Sequence, residues 1–153
     1  MAPELDPLCE AERFLHEKIP LTRAMGVRVV RHADGAFAIE APVALNYNHL
    51  HTAFGGSINA VATLAGYAFL WLELRAADVE IVVAESTIRF RAPVRETIRA
   101  ICRQPDAETL AAFKATLAEK GKARIALHVA VEENATTAAE FAGTFVAVRN
   151  SRA

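Results

Sequence analysis

The sequence predicts an α+β fold, a curled antiparallel sheet of about six strands wrapped around one long apolar helix. Three observations point there. Gly55 to Leu72 run without a single charged side chain. Short runs rich in apolar and β-branched residues flank that stretch on both sides. With 153 residues, 53% of them hydrophobic, the chain can bury one core but is short for two, so a single domain over residues 1–153 is expected.

Each element follows from local signals. Asp6 and Pro7 open an amphipathic helix, Leu8 to Ile19, with Phe14 and Leu15 on one side, and Pro20 ends it. Gly26 to Arg31 and Ala36 to Ala41 flank the turn pair Asp34-Gly35 and read as a β-hairpin. After Pro42 come a polar loop and then the apolar helix, from about Gly55 to Arg75. Glu80 to Ala92 reads as a strand, turned near Pro93 into a partner, Glu96 to Arg103, that places Ile98, Ala100 and Cys102 on one face. Asp106 to Lys120 has helical spacing of Leu110, Phe113 and Leu117, although a turn at Lys120-Gly121 would make its second half a strand. Lys122 to Glu132 and Ala138 to Arg149 close the chain as strands joined by a polar turn, Glu133 to Thr137. One helix apolar all round, encircled by these strands, is the arrangement known as the hotdog fold.

Composition narrows the partners. Lysine and arginine (17) nearly balance aspartate and glutamate (18), so no excess charge points to a nucleic-acid backbone. The apolar stretch approaches the length of a membrane span, but it contains Ser57, Asn59 and Thr63 and lacks flanking basic residues on its N-terminal side. Enclosure by protein, not lipid, is therefore expected. Acids near the N-terminus argue against a secretory signal, and two distant cysteines, Cys9 and Cys102, suit a reducing cytoplasm.

Two blocks carry a resemblance: Asn46-x-Asn48-x-x-x-Thr52-x-Phe54-x-Gly56-Ser57, and Ile88-Arg89-Phe90-x-x-Pro93. With the residues around them, from about Ile19 to Val148, they resemble the hotdog family known as the YiiD C-terminal, thioesterase-type domain. That family occurs alone or fused to an acetyltransferase, for which this sequence has no room. The resemblance implies an enzyme acting on acyl thioesters of coenzyme A or acyl carrier protein, within fatty acid metabolism, with no cofactor. The expected activity is hydrolysis; decarboxylation of malonyl groups on acyl carrier protein, reported for some members, is the alternative, and noncatalytic thioester binding a third. It also implies a homodimer, joined sheet edge to sheet edge, with pairing into tetramers left open.

Chemistry selects the residues. Hydrolysis and decarboxylation both build negative charge on the thioester oxygen, and the N-terminus of a helix offers unpaired N–H groups to that charge. Gly55, Gly56 and Ser57 supply this start and, with Asn46 and Phe54, form the expected substrate-binding set. Asn48, at the position the family associates with its active site, is the first catalytic candidate because a side-chain amide donates without depending on pH. Thr52, the second catalytic candidate, would orient Asn48 or donate to the same oxygen. Hotdog thioesterases commonly place an acid on the central helix, yet this one has none before Glu73, roughly 25 Å along the axis from the glycine pair. Glu85 is the remaining candidate base, on the condition that it is buried among its apolar strand neighbours. His49 and His51 share a side of an extended segment, but with no third ligand nearby no metal is expected. His16, His32 and His128 read as structural or solvated, and Arg89, Arg91, Arg95 and Arg99 as a basic strand face able to meet phosphates or an acidic carrier.

Overall fold

A computed structural model describes residues 6–150. In chain order it contains α1 (Pro7–Lys18), α2 (Leu21–Ala24), β1 (Arg28–Ala33), β2 (Ala36–Pro42), a 3-10 turn (Val43–Leu45), α3 (Gly55–Leu74), β3 (Val79–Phe90), β4 (Thr97–Arg103), α4 (Ala107–Lys120), β5 (Lys122–Glu133) and β6 (Thr136–Arg149). The strands form one open antiparallel sheet in the order β1-β2-β4-β5-β6-β3.

The predicted order of elements is the observed one, with four local differences. The short helical turns α2 and Val43–Leu45 were not expected from the sequence, because four- and three-residue helices have no apolar period. Asp106 to Lys120 is helical throughout: the Asp106 carboxylate caps Thr109 N at 2.7 Å, and Gly121, at φ 72°, ends the helix as a left-handed C-cap instead of turning a hairpin. The β5–β6 turn is only Asn134-Ala135, both at positive φ, so β6 starts at Thr136 and not at Ala138. The β1–β2 turn is the expected Asp34-Gly35 pair, at φ 55° and 70°.

Period-two alternation divides the sheet into two faces. On β6, Phe141, Gly143, Phe145 and Ala147 are buried toward α3, and their register partners on β5 (Val129, Leu127, Ile125, Ala123) are buried with them. Helix α3 lies across this inner face, with ten of its 20 residues buried. Gly66 sets the depth of that packing: a Cβ there would fall 2.7 Å from the ring of Phe145, so a side chain would push the helix off the sheet. Among the described residues α3 is the one helix long and apolar enough to cross a membrane, and here it is wrapped by its own sheet. Phe14 of α1 stacks on Trp71 with ring centroids 4.4 Å apart and covers the C-terminal half of the helix. His16 Nε2 lies 2.7 Å from the Val27 carbonyl and Glu12 Oε1 accepts Val29 N at 2.9 Å, which fastens α1 to the start of β1.

The connection from β3 to β4 has no ladder of its own, and a side chain supplies what the backbone lacks. The Glu133 carboxylate accepts N–H bonds from Arg95, Glu96 and Thr97 at 2.9–3.2 Å. Partial burial pushes its carboxyl upward, but the three backbone donors and the Arg95 charge outweigh it, holding the group below its ordinary value of 4.5. A depressed folded-state value means that the carboxylate stabilises the fold above about pH 4.5 and that this contribution is lost as the pH falls through the lowered value. Glu133→Gln is therefore expected to cost about 1 kcal/mol at pH 7, a figure discounted for partial exposure. Thermal midpoints across pH 2–7 should show the gap between variant and wild type closing at the acid end.

Candidate active site

The loop before α3 is a small hairpin of its own. Asn46 O accepts Phe54 N at 2.7 Å, Tyr47 pairs with Ala53, and Asn48 N donates to Thr52 O at 2.8 Å. Ala53 N in turn donates to Val94 O at 2.8 Å, tying this hairpin to the segment clamped by Glu133. Asn46 is 5% exposed and its amide donates to Met25 O and Pro42 O, so it shapes the loop from within and does not face solvent.

Asn48 occupies the tip of the hairpin, and its amide is largely used there. Its Oδ1 accepts Leu50 N at 2.9 Å and Thr52 N at 3.2 Å, and its Nδ2 donates to Thr52 Oγ1 at 3.0 Å and, at 3.4 Å, to Ala53 O. This is the bonding of an Asx turn closed by a threonine. Thr52 does orient Asn48, but by enlisting it in the loop. His49 and His51 are exposed, His51 stacks on Tyr47 with centroids 5.5 Å apart, and no cluster of three metal-ligating side chains exists among the described residues.

Helix α3 starts differently from the other long helices. Asp6 caps α1 and Asp106 caps α4, whereas the N-cap of α3 is Phe54, with no side-chain cap and no acid in the first turn. Ile58 N bonds to Phe54 O, but the N–H groups of Gly55, Gly56 and Ser57 make no hydrogen bond to a described residue. The Phe54 ring lies over Gly56, where a Cβ would fall 2.4 Å from Cε1, and the Phe90 ring lies 3.5 Å from the corresponding position on Gly55. Both rings are more than half exposed, as are Tyr47 and Leu50. The free helix start thus sits in an open apolar mouth.

Glu85 is not in that mouth. A bulge between Val83 and Glu85 shifts the alternation of β3, and Glu85 pairs with Thr144 on the outer face, exposed and away from α3. The burial its role as a base depended on is absent. Glu73 is also removed from the mouth, at the far end of α3 and paired with Lys114 at 3.0 Å. The basic strand face is partly neutralised: Arg99 pairs with Glu40 at 2.9 Å and Arg91 with Glu140 at 2.7 Å. Arg89 lines a groove of about 530 Å³ on the outer face with Arg103 and His128, floored by Ala130 and Ala142 and distinct from the helix start. Cys102 is fully buried and its thiol is pushed up to about 12 by that burial, so it stays protonated at neutral pH. Of the exposed aromatic pair at the helix start, Phe54 is among the expected substrate-binding residues, whereas Phe90 stands only in the second motif block, and only the register of β3 shows that it faces the same way as α3.

An open sheet curled around one apolar helix, with an uncapped glycine start, defines a hotdog-fold protein of the thioesterase type. The chain belongs to the family described as "Putative thioesterase (yiiD_Cterm)", whose model matches residues 8–149. Among solved structures it is similar to a protein of unknown function from Chlorobaculum tepidum, with 30% identity, coverage of 93% of this chain and 94% of that one, and a TM-score of 0.86. It is also 32% identical to a protein from Shewanella oneidensis described as a "putative thioesterase", covering 93% and 97% of the two chains with a TM-score of 0.82. A probable thioesterase from Pseudomonas aeruginosa is 29% identical, with coverage of 92% and 95% and a TM-score of 0.76.

Because the Asn48 amide closes its own loop, Asn48→Ala is expected to lower stability by about 1–2 kcal/mol as two backbone N–H groups lose their acceptor. Denaturant unfolding checks this. A variant as stable as the wild type would show that the amide is not needed by the loop.

Proposed function

We propose that this protein is a thioesterase of acyl-coenzyme A or acyl-acyl carrier protein, in which the start of α3 holds the thioester oxygen. One observation carries the reading: Gly55, Gly56 and Ser57 present three N–H groups without a protein partner, at the positive end of a 20-residue helix and between two exposed rings. Such donors stabilise charge that develops on the oxygen, and the apolar rings exclude water around it. Asn48 and Thr52 act by fixing the hairpin that delivers the chain to Gly55.

A specific observation favours a second reading, decarboxylation of a malonyl thioester. No acid of α3 lies near its start, and Glu85 faces outward. Hydrolysis needs a group that activates water, leaving only the exposed His49 and His51 nearby in sequence, whereas loss of CO₂ leaves an enolate that requires the same oxygen-binding donors and a later proton. Incubation with malonyl and unbranched acyl thioesters separates the readings by product, free thiol for hydrolysis and acetyl thioester for decarboxylation. In either reaction Gly56→Ala should fold, since the exposed Phe54 ring can swing aside, and should lose at least about tenfold in kcat/KM because a methyl group enters the oxygen site. Unchanged kcat/KM would overturn the assignment of the helix start.

The working unit in this proposal is a homodimer. Strand β3 is 12 residues long, pairs only with β6, and leaves its other edge bare with Val82 and Val83 53% and 42% exposed. A long apolar edge of this kind invites pairing with a second copy. Light scattering is expected to give a dimer for the wild type and a larger monomer fraction for Val83→Lys.

A further inference from the structure

On the face of the sheet turned away from α3, small and long side chains combine to build a groove. Ala130 and Ala142 are its part-buried floor, and Arg89, Arg103 and His128 stand exposed around a space of about 530 Å³. Strand register puts them there. Thr87 pairs with Ala142 and Ala142 with His128; because Cys102 pairs with Val129, the next outward residues, Arg103 and His128, stand side by side. Arg89 follows two residues after Thr87, so its Cα lies about 16 Å from that of Arg103, three strands away.

The charges in this groove are not balanced. The neighbouring Arg99 and Arg91 each have a carboxylate partner, Glu40 at 2.9 Å and Glu140 at 2.7 Å. Arg89 faces Glu140 in the β3–β6 ladder, yet that carboxylate receives both Nε and Nη2 of Arg91, and Arg89 makes no ion pair among the described residues. Arg103, opposite Ala36 on one side and His128 on the other, makes none either. Glu132, part-buried at one end, is the remaining acid of the lining, so two guanidinium groups and an imidazole face one unpaired carboxylate. Cations gathered over a concave floor attract an anion, and a guanidinium presents coplanar N–H donors that match a phosphate. Thr87 and Thr137 add hydroxyl donors to the same lining. The separation of the two arginines suits a ligand that carries phosphoryl groups at two points better than a single small anion.

We propose that this groove binds a nucleotide through its phosphoryl groups, with Arg89 and Arg103 as the charged anchors and His128 as a hydrogen-bond donor. Two sources share that chemistry: the nucleotide end of a coenzyme A thioester, or a free nucleotide acting from the far side of the sheet. Binding stands independently of the thioesterase reading, and only the first source rests on it. The probe is adenosine 3′,5′-bisphosphate, titrated into the full chain by calorimetry at about 0.15 M salt, where diffuse surface attraction is screened. Arg89→Gln and Arg103→Gln should each weaken binding at least about tenfold, whereas Arg124→Gln, which removes an equal charge from the outer face of β5 beyond the groove, should change it less than about twofold. No binding by the wild type at millimolar probe, or equal losses in all three variants, overturns the groove as a site. A smaller assembly for the variant carrying both groove substitutions in light scattering, with no probe bound by the wild type, identifies a second copy of the chain as the occupant and likewise overturns it. Where the probe binds, wild-type kinetics name the source. Competition against an acyl-coenzyme A and none against the matching acyl-pantetheine identify the substrate's own nucleotide; an equal effect on both, or on neither, identifies a free one. A wild type that binds the probe and turns over no thioester overturns the enzymatic reading and leaves the groove standing.

Discussion

A 20-residue helix that carries no charge before Glu73 cannot lie on a protein surface, and the rest of the fold answers to that constraint. Burying one side of such a helix would leave hundreds of square ångströms of apolar surface in water, so a sheet wide enough to curl around it is required. The strand order supplies that width by inserting β4, β5 and β6 between the first hairpin and β3. Small residues then set the distance of approach: Gly66 on the helix meets Phe145 on the sheet, and Gly143 gives the rings of Phe141 and Phe145 room beside it. Helix α1 closes the remaining side through Phe14, with an Arg75–Glu10 ion pair of 2.7 Å at the end of α3.

The same constraint shapes the chemistry. A helix buried on most sides has few positions for an acid, because an ionised carboxylate pressed against a sheet is costly unless paired. Glu73, the one acid on α3, is placed near its exit and paired with Lys114. What the helix can offer without charged side chains is its dipole, and a buried helix in low-dielectric surroundings delivers that dipole with less screening than a surface one. An oxygen-polarising site at the N-terminus, without an adjoining helix acid, is thus a consequence of the packing as much as of the loop.

Much of the fold was legible because it rests on patterns with a period: the uncharged run for α3, the alternation along β5 and β6, the Asp34-Gly35 turn between β1 and β2. The site was legible only in outline. The glycine start of α3 could be read from the order of residues, but the partners of Asn46 and Asn48 could not, since acceptors such as Met25 O and Pro42 O come together only when the loop folds over β2. Glu85 shows the limit most clearly. Its face depends on a single-residue bulge after Val83, and a shift of one residue reverses every side chain that follows.

At three places in the structure a carboxylate meets backbone donors that have no other partner. Asp6 serves α1, Asp106 serves α4, and Glu133 gathers three N–H groups of the β3–β4 connection. The start of α3 has no such carboxylate: three donors go without a partner among the described residues, the Asn59 side-chain oxygen a turn further on is buried without one, and two aromatic rings stand exposed. Any one of these could be an accident of packing. Their coincidence at one helix terminus is not what stability alone selects, because a Ser, Thr or Asp at position 54 would stabilise the helix by about 1 kcal/mol as a cap and expose less apolar surface to water. The hairpin from Asn46 to Phe54 is meanwhile held by backbone and side-chain hydrogen bonds, so the braced part of the site and its unsatisfied part are separate and adjacent. That division suits a site in which a fixed loop holds open a set of donors for an oxygen the protein itself does not supply.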